Sequence, residues 1–156
     1  MIILTDTREQ RPYSFESFPN VHVDAATLPT GDYSLPGFED RAAIERKSIS
    51  DLIGCLKGQG RERFERELSR ARAYEFFAVV IEAGLHQISM KQYNSAMSPD
   101  AVLQSIAAFH IRYGVPFMFA GDRAGAEYLT HAFLSKYSRE IRERFNYLTK
   151  YEGIEQ

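Results

Sequence analysis

The chain lacks most of the features that would place it outside the ordinary globular class. Its 156 residues include a single cysteine, Cys55, so no internal disulfide is possible. No apolar run approaches the roughly 20 residues a membrane-spanning helix needs. The first residues lead straight into a short apolar strand pattern without a basic segment or cleavage site, and with the lone cysteine this predicts a cytoplasmic setting. Positive charge is also short: 19 Lys and Arg against 21 Asp and Glu give a net charge of −2. Bulk attraction to nucleic acid is therefore excluded, and any such binding must come from local clustering. Internal repeats and low-complexity linkers are missing too. What is left fits one domain over residues 1–150, large enough to bury about two-thirds of its unfolded surface, with residues 151–156 expected to fray.

The hydrophobic fraction of 44% is distributed in recognisable periods. Met1 to Leu4 and Val21 to Ala25 read as strands. Leu28 to Asp32 is a turn-rich break, and Tyr33 to Leu35, a Pro36-Gly37 turn and Ala42 to Lys47 make a hairpin the economical reading. Phe76 to Ile81 is an unbroken apolar run of the kind found in strands covered on both faces, and Val115 to Ala120 is a further strand. Between them lie helical patterns. Ser48 or Ser50 caps the stripe Ile49, Leu52, Ile53 and Leu56, which Gly58 and Gly60 are expected to end. Phe64, Leu68, Ala71 and Tyr74 mark an arginine-rich helix. Ser98-Pro99-Asp100 opens a helix with Val102, Leu103, Ile106, Phe109 and His110 on its inner side. Asp122 caps a last helix to about Tyr137, and Ser138 to Lys150 is its continuation or a second helix. Strands first, then helices alternating with strands, predict an α/β fold: a three-layer core with a mixed sheet of five or six strands and helices on both faces.

Chemistry concentrates around Gly31-Asp32 and Glu45-Arg46-Lys47. Strand periodicity puts Glu45 and Lys47 on one face and Arg46 on the other. Phosphodiester hydrolysis brings a nucleophile to an anion and builds charge on the leaving oxygen, and a divalent cation relieves both difficulties. Magnesium is usually held by one or two carboxylates together with water and substrate oxygens, which Asp32 and Glu45 supply. Lys47 adds a positive charge beside them.

An acid followed by Glu-x-Lys on the next strand resembles the active-site pattern of restriction-endonuclease-like nucleases. The longer string, Gly31-Asp32, then Glu45-Arg46-Lys47, three residues and Asp51, resembles the signature of XPF-type (ERCC4-domain) structure-specific endonucleases. Asp6-Thr7-Arg8-Glu9, Gly60-Arg61 and Ile81-Glu82 resemble other segments of that family, so the likeness runs from about Ile2 to Glu82 and more faintly through Tyr113 to Phe119. The resemblance implies a metal-dependent DNA endonuclease using Mg2+ or Mn2+ and cutting one strand near branched DNA or duplex/single-strand junctions. By it Asp32 and Glu45 ligate metal, Lys47 aligns or activates water, and Asp6 assists at the metal. Arg46 braces the site against Asp51 or Glu9. It also implies dimerisation, with the helix carrying Leu129, Phe133 and Tyr137 as a candidate surface, or a DNA-binding partner protein. The helix-hairpin-helix module usual in the family is not found; Gly58-Gln59-Gly60 has polar Gln59 where an apolar residue belongs. The alternative is a catalytically silent DNA-binding or scaffold subunit. The DNA would be met in the nucleoid of a bacterium or the nucleus of a eukaryote.

Several residues stay open to two readings. Arg61, Arg63 and Arg66 either contact phosphates, with Arg8, or pair with Glu62, Glu65 and Glu67 as a self-satisfied face. Tyr33, beside Asp32, either stacks on unpaired bases or packs. Asp51 either supports the site or favours the positive end of its helix.

Overall fold

A computed structural model describes residues 1–152. Six strands form one sheet: β1 (Ile2–Asp6), β2 (His22–Ala26), β3 (Tyr33–Ser34), β4 (Ala42–Lys47), β5 (Phe76–Ile81) and β6 (Phe117–Phe119). Five helices accompany them: α1 (Ile49–Gly54), α2 (Gly58–Ala71), α3 (Leu85–Ser89), α4 (Pro99–Tyr113) and α5 (Arg123–Glu152). The order across the sheet is β2-β1-β3-β4-β5-β6. β1 and β2 run parallel, β3 is antiparallel to both β1 and β4, and β4, β5 and β6 are parallel to one another. The expected hairpin is β3–β4; helical crossovers join β4 to β5 and β5 to β6, whereas a long irregular loop, residues 7–21, joins the parallel pair β1 and β2.

The apolar run of β5 lies mid-sheet and divides by the two-residue period. Phe77, Val79 and Ile81 enter one core cluster with residues of α1, α2 and α4, whereas Ala78 and Val80 enter the other with α5 and the loop bearing Tyr13 and Phe15. Helices therefore cover both faces, and the architecture is the expected mixed α/β sandwich. β4 splits likewise. Ala43 belongs to the α1–α2 side and Ile44 to the α5 side, which sends Glu45 and Lys47 under α1 and α2 and Arg46 the opposite way.

Several boundaries differ from expectation. Gly58 and Gly60 do not end α1 but open α2; Gly58 has φ +53°, and a Cβ on Gly60 would lie 2.2 Å from the Gly54 carbonyl oxygen. The two helices thus meet at a spacing only glycine permits. Ser48 caps α1, accepting from the Asp51 N–H, and Ser98 caps α4. Asp122 caps α5 by accepting from the Gly125 N–H at 2.7 Å. His110 does not line the inner side of α4: it is exposed, with Nδ1 2.8 Å from the Val115 carbonyl oxygen. α3 has no counterpart in the sequence reading. α5 runs unbroken through Glu152, so Tyr151 and Glu152 are helical and not frayed, and the remainder of the expected tail, 153–156, lies outside the described residues. Among the described residues no helix is long and apolar enough to cross a membrane.

Candidate active site

β3 is only two residues long, yet it is wedged between β1 and β4 and brings three strand ends together. The Asp6 N–H donates to the Asp32 carbonyl at 2.8 Å, and the Asp32 N–H donates to the Ile44 carbonyl at 2.8 Å. Gly31 makes this possible. Its φ is +85°, and a Cβ there would lie 2.9 Å from the Ala43 Cβ and 3.2 Å from the Ile44 carbonyl oxygen, so only glycine lets the chain approach β4 this closely. Asp6, Asp32, Glu45 and Lys47 consequently share the face beneath α1 and α2.

The Asp32 Oδ2 accepts the Arg46 backbone N–H at 2.7 Å, which fixes the carboxylate to the strand carrying the other catalytic candidates. Burial pushes the Asp32 carboxyl up to about 6, against the opposing effect of that hydrogen bond and of the Lys47 charge. Glu45 is buried and pushed well above the usual carboxylate range, again by burial first, with Asp32 and Glu67 adding to it and Lys47 opposing. The Lys47 ammonium pairs directly with Glu45 Oε1 and lies 5.1 Å from the centre of the Phe64 ring. Burial pulls Lys47 down, but the charges of Glu45, Cys55 and Glu67 and the hydrogen bond to Glu45 together outweigh it and hold the ammonium above its usual range. Two buried carboxyls that resist ionisation mark a place where positive charge is wanted.

The carboxylate pair fits a magnesium-type ion, which needs few protein ligands. Both Asp32 and Glu45 line two adjoining clefts: one of about 240 Å3 toward α2, with Thr30 and Arg70, and one of about 340 Å3 toward Ser48, Ser50 and Asp51. Among the described residues no group of three His, Cys, Asp or Glu is gathered for a metal. Asp6, expected to assist the metal, is otherwise engaged. Its Oδ1 accepts from the Arg8 backbone N–H at 2.8 Å and from Arg8 Nε at 2.7 Å, and its Oδ2 accepts from Arg8 Nη2 at 2.9 Å and from the Leu28 N–H at 2.7 Å. Burial pushes Asp6 up, yet these bonds and the Arg8 charge together hold it below the usual range. Asp6 thus positions Arg8, whose Nη2 also reaches the Leu28 carbonyl.

Arg46 braces the opposite face, as its register predicts. Its Nε donates to Glu9 Oε2 at 2.9 Å and its Nη2 to Glu9 Oε1 at 3.2 Å, while Nη1 makes an ion-pair contact with Glu82 Oε2 at 3.1 Å without hydrogen-bond geometry. Glu82 in turn accepts from Arg123 at 2.9 Å and from the Tyr13 hydroxyl at 3.1 Å. Asp51 is not part of this brace. It is exposed and accepts from the Ser48 hydroxyl at 2.6 Å, a helix-capping role. Tyr33 is fully buried, stacked on Tyr13 with ring centres 5.0 Å apart, so it packs and offers no surface to a base. Arg61 also turns inward: it lies over the Phe109 ring and contacts Glu65. Sequence reasoning missed Glu67, Thr30 and Arg70, which line the α2 cleft, and Arg123, which completes the brace.

The ERCC4 domain family model matches residues 5–133. The chain belongs to the ERCC4-domain family. That is a family of nuclease domains, and solved structures of the fold agree. The XPF from Aeropyrum pernix is 24% identical with a TM-score of 0.69, the match covering 88% of this chain and 61% of that one. The XPF from Aeropyrum pernix in complex with DNA is 25% identical with a TM-score of 0.69, covering 89% of this chain and 66% of that one. The present chain therefore spans less than two-thirds of the length of these ERCC4-domain relatives. No curated protein is matched. In this ERCC4 domain the family string falls at the meeting of β1, β3 and β4, with Gly31 closing the sheet and Asp32, Glu45 and Lys47 facing the same helices.

Proposed function

We propose that the chain is a metal-dependent endodeoxyribonuclease acting on branched or duplex/single-strand junction DNA. The observation that carries this reading is the convergence of half-buried Asp32, buried Glu45 and the Lys47 ammonium at the floor of two clefts. Held by Asp32 and Glu45, Mg2+ or Mn2+ would stabilise charge at the phosphoryl oxygens and favour deprotonation of water. The protein supplies the rest by position. The Arg46 backbone N–H holds the Asp32 carboxylate in place, and Glu45 and the Phe64 ring fix the Lys47 ammonium. Because Lys47 stays protonated, it orients water or offsets developing negative charge and does not serve as a base. Arg8, set by Asp6, and the α2 arginines Arg63 and Arg66 face DNA. The DNA-bound XPF neighbour supports that choice of polymer, and the family supports junctions. In this proposal two chains associate through α5, or a DNA-binding partner protein supplies the grip, and the setting is the cytoplasm.

The test is cleavage of flap, splayed-arm and nicked duplexes with Mg2+ or Mn2+. One strand should be cut near the junction, with Asp32→Ala and Lys47→Ala each lowering the rate by about 100-fold or more while binding persists. Full cutting by either variant would refute the mechanism, and binding without cutting by the unaltered protein under both metals would favour the scaffold-subunit alternative.

A further inference from the structure

Helix α2 has three distinct faces, and only two are accounted for by folding. Phe64, Leu68 and Ala71 are buried in the core. Arg61 and Glu65 form the second face, where Glu65 also accepts from Arg112 at 2.8 Å and Arg61 lies 4.6 Å from the Phe109 ring centre. The third face carries Arg63, Arg66 and Arg70, spaced i, i+3 and i+7, which all line the cleft of about 240 Å3 that also holds Asp32, Glu45 and Thr30. All three are exposed. Among the described residues Arg63 and Arg66 form no ion pair, and the only side-chain hydrogen bond of Arg70 is from Nε to Thr30 Oγ1 at 3.1 Å.

Like charges at helical spacing repel one another and gain nothing for folding. Glu67 sits within the same stripe but makes no ion pair with its neighbours, and its charge bears on Glu45 and Asp32 instead. Three unpaired guanidinia therefore flank the carboxylate pair on one side. From Arg63 to Arg70 the helix rises about 10 Å, at roughly 1.5 Å per residue. Three consecutive phosphates on one strand of B-form DNA span two steps, about 7 Å along the axis at roughly 3.4 Å each, which falls within that length. The cleft contains no Asn or Gln to read an adenine edge.

We propose that Arg63, Arg66 and Arg70, with Thr30 steadying the last, form a track that holds about three consecutive phosphates of a single substrate strand beside the scissile one, independently of base sequence. The proposal rests on the nuclease reading. It makes Arg70 and Thr30 part of substrate recognition and assigns Arg61 none.

The experiment measures the salt dependence of binding to a fluorescent splayed-arm duplex in EDTA, where nothing is cut. Each phosphate contact contributes about 0.9 to the slope of log K against log salt on duplex, or about 0.7 on a single strand. The triple variant Arg63→Gln/Arg66→Gln/Arg70→Gln should lower the slope by about 2 to 3, and each single variant by about 0.7 to 0.9. Arg72→Gln, at the C-terminal cap of α2 and outside the cleft, should leave it unchanged. A triple-variant loss below about half a unit, or an equal loss with Arg72→Gln, would overturn the track while leaving the nuclease reading intact. Absence of salt-dependent binding by the unaltered protein would overturn both.

Discussion

At Asp32, folding and function pull in opposite directions. The carboxyl is anchored by the Arg46 N–H, yet burial raises it from 3.8 to about 6. A folded-state value above the unfolded one means that the native protein holds this proton more tightly. The resulting stability is fully present below about pH 4 and is lost as pH rises through about 6. In EDTA, Asp32→Asn should therefore gain on the unaltered protein between pH 4 and 7, by on the order of 3 kcal/mol at the top of that range. Divalent metal should reverse the gain. Urea unfolding of both proteins across this range checks it, and a difference flat with pH would contradict the assignment. The proposed site residues were legible because strand alternation alone separates Glu45 and Lys47 from Arg46. The same rule applied one strand earlier turns Tyr33 away from Asp32 and into the core, where the structure finds it. Glu67 and Arg70 were written in the helical period of α2, since 63, 66, 67 and 70 share one face. Arg123 was not, because its bond to Glu82 spans 41 residues and no local period encodes such a contact.

Among the elements, the short ones were the least legible. β3 has two residues and α3 has five, too few for either period to repeat. Glycine caused the clearest misreading. Before a helix and after a helix it looks alike in sequence; here Gly58 supplies a positive φ and Gly60 a close approach between α1 and α2. Gly31 serves the catalytic strand in the same way. Gly31→Ala would force a left-handed conformation on alanine and push a methyl against the Ala43 Cβ, which together should cost about 1–3 kcal/mol or more. The urea midpoint should fall with little change in slope. Cleavage should fall further than stability explains, since Asp32 moves with its neighbour. A Gly31→Ala protein of native stability and rate would show that the sheet closes there without glycine.

On the scale of the whole molecule, the two cores and the sheet between them followed from sequence, and of the two readings of 138–150 the structure takes the continuation of α5. Leu129, Phe133 and Tyr137, expected as an exposed surface, pack against the second core; Phe133 and Tyr137 lie 5.6 and 6.2 Å from Phe76. The apolar surface lies further on, where Phe145, Tyr147, Leu148 and Tyr151 are each more than half exposed. If two chains associate there, Phe145→Glu with Leu148→Glu should convert a dimer to a monomer in sedimentation without altering the unfolding midpoint of the monomer. Monomer alone at high concentration for the unaltered protein would rule that surface out. The wedge of β3 bears on dynamics as well. Two residues join the β2-β1 ribbon to the β4-β5-β6 block, so the sheet has a seam, and Asp32 and Glu45 lie along it. Opening at that seam breaks few backbone bonds, although it uncovers the buried Tyr33 ring, and so costs less than unfolding the whole sheet. The amides of Asp6 and Asp32, which donate across the seam, should then exchange with solvent before those of Val79 and Val80 in the middle of the sheet.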